Sequence, residues 1–372
     1  MADTDFGKVT ALQRKVYETA IWRQTRLASF FMSNGFMGSG MAQSNAIIHN
    51  VDSLTTTARG TEAIMPLVQD LYGDGVAGDN TLDGHEQEIE ADSLSIRIDQ
   101  LRQAVRNKGR MSEQKTVIRF RAVANDNLSY WLGDKIDELC FLTASGIAYS
   151  LYLDGRTRPA SSQLPQLDFA TDVSAPTSGR KAFAGVATTT GTLTANDTLT
   201  WNRVVQTRAM AKRRRMKPLR KGGKEYFVLV VSNEQCRDLK LDPDYKAAVA
   251  NAEKRGSDNP LFQNAMVTID GILIYEHEKV ANTLGLASSS KWGAGGLVDG
   301  AQALMMGAQA LGFASTTPAS FDTSDNTDYQ NKTGIAVGRM FGLVKPHWYR
   351  PEEASEQDYS IISLYTAAAA VS

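Results

Sequence analysis

The clearest two-residue rhythm in this chain lies at residues 94–99, where Leu94, Ile96 and Ile98 alternate with Ser95, Arg97 and Asp99. Side chains along a strand point to opposite faces in turn, so this segment predicts a half-buried strand. Upstream, TEAIMPLVQDLY (61–72) supplies a second arm, in which Pro66 disfavours a central position in a sheet. Between the arms, GDGVAGDNTLDG (73–84) is a turn-rich tip too polar for a core. Residues 61–107 therefore read as a two-stranded excursion with one apolar face: Ile64, Val68, Leu94, Ile96 and Ile98. An isolated hairpin is marginal in water, so that face needs a cover, and a neighbouring subunit is the natural one.

The rhythm changes after residue 111. Val117, Phe120, Ala124, Leu128, Trp131, Leu132, Ile136, Leu139 and Leu142 recur at three- and four-residue steps, predicting an amphipathic helix over 112–145. Ser112 suits its N-cap, Glu113 the positive end of its dipole, and Gly146 its C-terminal stop. At 1.5 Å per residue it would span roughly 50 Å. Gly133 costs about 1 kcal/mol inside it, so tertiary packing has to hold it together.

Elsewhere the pattern is shorter-ranged. Residues 1–60, with FFMSNGFMGSGM, read as an extended or partly ordered arm, and 155–200 as a Pro/Ser/Thr/Gly-rich irregular region. Helices are expected at 201–216 and 234–254, and strands at 226–231, 267–275, 334–344 and 358–365. AQALMMGAQALGF (301–313) reads as a buried helix, and STTPASFDTSDNTDYQN (315–331) as a polar surface loop. The class is α+β.

Composition narrows the function. At 372 residues and 42% hydrophobic content the chain holds a real core, in two lobes or one elaborated unit. A formal net charge of -1 excludes a strongly basic, DNA-coating protein. Cys140 and Cys236 stand far apart with no metal-ligand spacing, which points to synthesis in a reducing cytoplasm. The start, MADTDFGKVTALQRK, has no apolar h-region, and the longest apolar stretch falls short of the roughly 20 residues of a membrane span.

Three motifs invite chemistry. Gly73-Asp74-Gly75-Val76-Ala77-Gly78 spells GxGxxG, which in a nucleotide-using enzyme would open a helix facing a pyrophosphate. Here it runs into Asp79, Asp83, Glu86, Glu88 and Glu90, with no Lys or Arg between Arg59 and Arg97, a field that repels phosphate. Asp79, Asp83, Gly84 and Glu90 also take positions 1, 5, 6 and 12 of a calcium loop, but Thr81 replaces the third-position ligand. The run Lys212-Arg213-Arg214-Arg215, followed by Lys217, Arg220, Lys221 and Lys224, suits a helix C-terminus. Its alternative use is electrostatic contact with an acidic neighbour or with phosphate, as in a nucleic-acid-binding protein, though no aromatics interleave it. His49, His85, His277 and His347 stand singly, and no catalytic or metal constellation is evident.

Several longer stretches together are more specific than any of these. LYGDGVAGDNTLDGHEQEIE runs into IDQLRQAVRNKGRMSEQKTV, and WLGDKIDELCFLTASG, MKPLRKGGKEYFVLVVSNEQCRDLK and DYQNKTGIAVGRMFGLVKPHWY follow. With them the chain resembles the phage N4-like family of major capsid proteins from about residue 55 to its end. The resemblance implies a non-enzymatic, cofactor-free shell protein with the Hong Kong 97-type (HK97-like) fold. In that fold 1–60 is the N-terminal arm, 61–107 the E-loop and 108–150 the peripheral domain with its spine helix. Residues 151–330 are mainly the axial domain, and 331–372 supply strands completing the body. The E-loop contacts to a neighbour would be made by Ile64, Val68, Gly73, Asp74, Gly75, Gly78, Asp79, Asp83, Gly84, Leu94, Ile96 and Ile98.

The implied partners are copies of the chain in hexamers and pentamers of an icosahedral head, a portal protein, a separate scaffolding protein, a cement protein, and packaged double-stranded DNA held without sequence specificity. No membrane is involved. An arm of this length would leave no room for a long helical scaffolding domain ahead of the body. Synthesis and assembly in the bacterial host cytoplasm would precede residence in the virion.

Some shells of this fold weld subunits through an E-loop lysine, and residues 61–107 contain none. Mature particles boiled in detergent are expected to release one band near 40.5 kDa. A ladder of multimers on the gel would contradict non-covalent maturation.

Overall fold

The computed structural model describes residues 29–38, 45–51, 62–68, 71, 73–88, 91–111, 120–221, 223–251, 268–316, 320–329, 331–350, 353 and 355–370. In chain order it forms α1 (Phe30–Ser33), β1 (Ile48–Val51), β2 (Glu62–Val68), β3 (Ala91–Arg97), β4 (Asp99–Arg106) and α2 (Phe120–Ser145). Short 3-10 turns lead to β5 (Lys181–Phe183), then α3 (Trp201–Arg213), β6 (Leu219–Lys221), β7 (Lys224–Val231), α4 (Asn233–Leu241) and α5 (Pro243–Asn251). Next come β8 (Thr268–Ile269), β9 (Ile272–Glu276), β10 (Gly300–Met306), β11 (Leu311–Ser315) and β12 (Ser320–Thr327). The chain ends with β13 (Lys332–Val344), β14 (His347–Arg350), β15 (Ser355–Asp358) and β16 (Ile361–Ala367).

Two sheets carry the body. In the five-stranded sheet the order is β1-β11-β13-β12, with β4 along the other edge of β13. In the seven-stranded sheet it is β5-β16-β10-β7-β9-β8, with β6 on β7. The seven-stranded sheet is covered on both faces, which is why its strands read as unbroken apolar runs. Val228, Val230, Leu304, Met306 and Ile361 face the core around α2. Their alternates Phe227, Leu229, Val231, Ala303, Met305, Ile362 and Leu364 share a second core with Val204 and Ala211 of α3 and Leu239 of α4.

Helix α2 lies between this sheet and the other. Ile335, Val337 and Phe341 of β13 and Leu101 of β4 meet it from the five-stranded side. The predicted amphipathic stripe holds for its first half, where only Ala124, Leu128 and Leu132 are buried. From Ile136 to Ser145 every residue is buried, so the second half has no solvent face. Its charged groups and Thr143 are matched, while Ser145 Oγ has no partner among the described residues. Asp137 accepts from Ser29 Oγ at 2.9 Å and Phe30 N at 2.6 Å, which pins α1 to the helix. Glu138 is held by Arg158 and by Lys135, and Thr143 Oγ1 shares a hydrogen bond with Tyr149 Oη at 2.7 Å. The proposed N-cap Ser112 lies outside the described residues.

Other expectations change for identifiable reasons. Residues 301–313 form β10 and β11, not a helix. A short apolar run carries no period to separate the two forms, and the turn at Gly307 passes so close to Lys217 that a Cβ there would lie 2.1 Å from its carbonyl oxygen. The helix expected at 234–254 is two, α4 and α5, because Pro243 bars continuation and Asp242 begins α5 instead, its Oδ1 accepting from Asp244 N at 3.1 Å. The strand expected from 267 to 275 is the β8–β9 hairpin, turned at Asp270 (φ 50°) and Gly271 (φ 70°). The polar tract at 315–331 contains β12, an edge strand paired with β13. The blocks 151–330 and 331–372 also interleave, since β11 and β12 join the five-stranded sheet and β16 joins the other.

Gly146 ends α2 with φ 69°, as its place in the sequence predicts. A Cβ there would lie 2.4 Å from the Ser174 carbonyl oxygen. Gly146→Ala is expected to destabilise the chain by more than about 1 kcal/mol, since left-handed strain and a backbone clash add. Chemical unfolding followed by circular dichroism measures this, and unchanged stability would contradict it.

Candidate assembly surfaces

The excursion forms as predicted at its base. β2 and β3 pair antiparallel from Glu62↔Arg97 to Val68↔Ala91, with Pro66 opposite Ser93 in a two-stranded sheet that has no central position. The register corrects the inferred apolar face. Ala63 faces Ile96 and Met65 faces Leu94, whereas Ile64 pairs with Ser95 and is 65% exposed on the other side. A one-residue change of register moves a whole side-chain set across the sheet, and pattern alone does not set register. The side chain of Val68 lies outside those described.

The cover also differs from expectation at this base. Ile96 is fully buried within its own subunit, in a cluster with Val51, Ala63, Ala314 and Val344, and Leu94, Ile98 and Met65 pack on it. Residues 99–106 belong to the body as well, because β4 pairs with β13 along its length. The segment left without a core of its own is therefore the tip.

Within 73–88 there are only turns and irregular chain. Gly75, Gly78 and Gly84 take positive φ, and Gly73 N donates to Gln87 Oε1 at 2.7 Å. No helix follows the glycines there, so the arrangement that would hold a pyrophosphate is missing. Among the described residues no group of three or more potential metal ligands gathers; Glu90 lies outside them. Asp74, Asp79, Asp83, Glu86 and Glu88 line this tip, with Leu71 62% and Leu82 58% exposed beside them.

The basic run is divided among separate tasks. Arg214 bridges Glu353 at 2.8 Å, and its carbonyl accepts from the buried Arg180 and from Arg350. Lys217 Nζ donates to Gln309 Oε1 at 2.6 Å, and burial lowers its pKa. Arg220 pairs with Glu225 at 3.4 Å. Lys212 and Arg213 remain exposed at the end of α3, and Arg215 turns the chain with φ 48°. These contacts divide the run among a helix end, a turn and the strands that follow, with Lys212, Arg213 and Arg215 exposed.

Sequence reasoning passed over Arg102 and Arg106. They alternate with Ala104 on β4, opposite Gly338, Gly334 and Ala336 of β13, and both are exposed. The alternation continuing past Asp99 was the available signal.

His277 is placed by the aromatic core. Its ring stacks on Phe141 at 5.0 Å and meets Phe30 at 4.8 Å, and its Nδ1 accepts from Lys279 N at 3.1 Å. Burial, with help from the Lys279 charge, lowers its pKa from 6.5 to about 4. Between those values the unfolded chain binds a proton that the folded chain refuses, so stability falls as pH drops through that window. The loss is at most roughly 3 to 4 kcal/mol. His277→Gln is expected to flatten this part of the stability–pH curve of the unassembled chain; an unchanged slope would contradict the assignment.

Comparison with known proteins converges on one class. The family model described as phage capsid protein matches residues 8–370. The major capsid protein of Pseudomonas phage KPP25 is 38% identical, over 98% of each chain. Among solved structures, the capsid of Ralstonia phage GP4 superposes with a TM-score of 0.80 at 24% identity, and the capsid of cyanophage Pam1 with 0.77 at 19%, each over 100% of both chains. These matches reach phage capsid proteins at large and do not single out the N4-like group. The family is one of structural shell proteins and not of enzymes. With its two-sheet body, spanning helix and projecting hairpin, this chain belongs to the phage capsid protein family, as a major capsid protein of HK97-like fold.

Proposed function

We propose that copies of this chain close an icosahedral head of hexamers and pentamers around packaged double-stranded DNA, with the hairpin beyond the body serving as the E-loop that reaches a neighbour. The observation that carries this reading is the tip: five carboxylates and two exposed leucines on a segment with no core of its own. Covering Leu71, Leu82 and Ile64 would contribute about 1.5 to 3 kcal/mol for each side chain fully buried. Heterologous contacts of this kind close rings and shells when the rotation between subunits fits. The tip residues Gly73, Asp74, Gly75, Gly78, Asp79, Asp83 and Gly84 would make these contacts, while Leu94, Ile96 and Ile98 anchor the hairpin to its own body. In this reading an N4-like shell assembles in the host cytoplasm with a portal and a separate scaffolding protein, and a cement protein reinforces a lattice that has no lysine weld.

Deleting residues 73–84 and joining the arms tests this. The shortened chain is expected to fold, because α2 and both sheets are untouched, and to remain small in sedimentation. Normal shells from the deletion would sink the E-loop assignment.

A further inference from the structure

Near its end the chain encloses a lysine and a carboxylate with no access to solvent. The side chains of Lys345 and Asp358 are both fully buried, and Lys345 Nζ lies 3.2 Å from each carboxylate oxygen, donating to Oδ2. An amine equidistant from the two oxygens stands opposite Cγ, at close to the roughly 3 to 3.5 Å that separates reacting atoms before attack. The rest of the site suits an acyl transfer. His347, paired with Asp358 across β14 and β15, places Nε2 2.8 Å from Oδ1, and Ser174 Oγ meets the same nitrogen at 2.8 Å. Thr177 N donates to Oδ2 at 3.2 Å. The backbone of Asp358 is held as well: its N donates to Thr177 Oγ1 at 3.2 Å, and its carbonyl accepts from Arg180 Nε at 2.9 Å. One carboxyl oxygen therefore faces a proton carrier and the other a fixed N–H donor, the two aids that attack on a carboxyl carbon needs.

Two full charges away from water are costly, and one proton moved from Nζ to the carboxylate leaves a neutral amine and a neutral acid at the same net charge. Burial favours that form. It lowers the pKa of Lys345 against the pull of Asp358. At Asp358 burial acts upward, although His347 and Lys345 together keep the net shift downward. We propose that Lys345 and Asp358 are a modification site, at which they condense into an amide within one chain. In the neutral pair Nζ attacks Cγ, and Oδ2 carries the negative charge of the intermediate against Thr177 N–H. Oδ1 then leaves as water. Nζ gives up two protons to Oδ1 in all, the second by way of His347 Nε2. One C–N bond forms, one C–O bond breaks, and nothing is oxidised or reduced. The His347 side chain is 19% exposed, which gives the water a way out. The product replaces two buried charges by one amide, whose oxygen keeps its hydrogen bond from Thr177 N. It closes the β14–β15 hairpin at its base and joins no two subunits, so boiled particles still release a single band.

Peptide mass mapping of the full chain, taken from purified shells and dissolved in denaturant, tests this. Cleavage after glutamate cuts at Glu352, Glu353 and Glu356, between the two residues. The peptides holding Lys345 and Asp358 are expected as one branched species, lighter by one water than the two apart, in most of the material. Two separate peptides of unmodified mass would overturn the proposal. So would water lost only at an Asp-Gly step such as Asp270-Gly271, the mark of a succinimide. The wild-type measurement needs no variant, so misfolding cannot obscure it. His347→Gln keeps both reacting groups and is expected to slow closure at least about tenfold in newly synthesised chain. Closure at the wild-type rate in that variant would overturn the part given to His347.

Discussion

The burial of the second half of α2 on every side is the constraint on which the rest of this subunit depends. Ten consecutive residues from Ile136 to Ser145 are shielded from solvent, so both sheets have to be in place before that helix is satisfied. A buried polar group without a partner costs about 1 to 3 kcal/mol. Asp137, Glu138 and Thr143 therefore recruit α1, Arg158 and Tyr149 to fixed positions. For Asp137 burial outweighs those hydrogen bonds and leaves its pKa raised. At Glu138, burial is outweighed by Lys135 and Arg158, which hold its pKa down. The helix thus organises its surroundings through its charges as much as through its apolar surface.

A second buried charge ties the chain's end to its middle. Lys345 and Asp358 are both fully buried and lie 3.2 Å apart. His347 stands 2.8 Å from the same carboxylate, Thr177 N donates to it, and Arg180 Nε donates to the Asp358 carbonyl. Burial alone would raise the pKa of Asp358, but His347 and Lys345 outweigh it and lower the value. Removing one partner of such a pair strands the other, so the group acts as a register mark for β14 and β15 against the 3-10 turns before β5.

A rigid body of this kind suits a shell, because the surfaces it offers to neighbours are fixed by the same packing. The hairpin base is welded to the body by Ile96 and by the crossing at Gly342, so the tip projects from a firm root. The tip is irregular and charged. The subunit's own core explains the one end and not the other.

The sequence by itself determined the elements whose period is long or whose punctuation is strong. The three- and four-residue steps of α2, its stop at Gly146, the alternation at Leu94, Ile96 and Ile98, and the polar tip were legible because backbone geometry alone decides which residues share a face. So was the resemblance to phage capsid proteins, carried by long stretches. Tertiary structure decided the rest. Residues 301–313 became strands because the sheet's interior, covered on both faces, accepts an apolar run with no period. Ile64 turned outward because pairing register depends on the partner strand. The second half of α2 lost its solvent face because a sheet distant in sequence lies on it. Arg214 and Lys217 took up side-chain partners 139 and 92 residues away, which no local pattern of charge can foretell. Local sequence fixes what a segment can be, and only packing fixes which of its faces meets what.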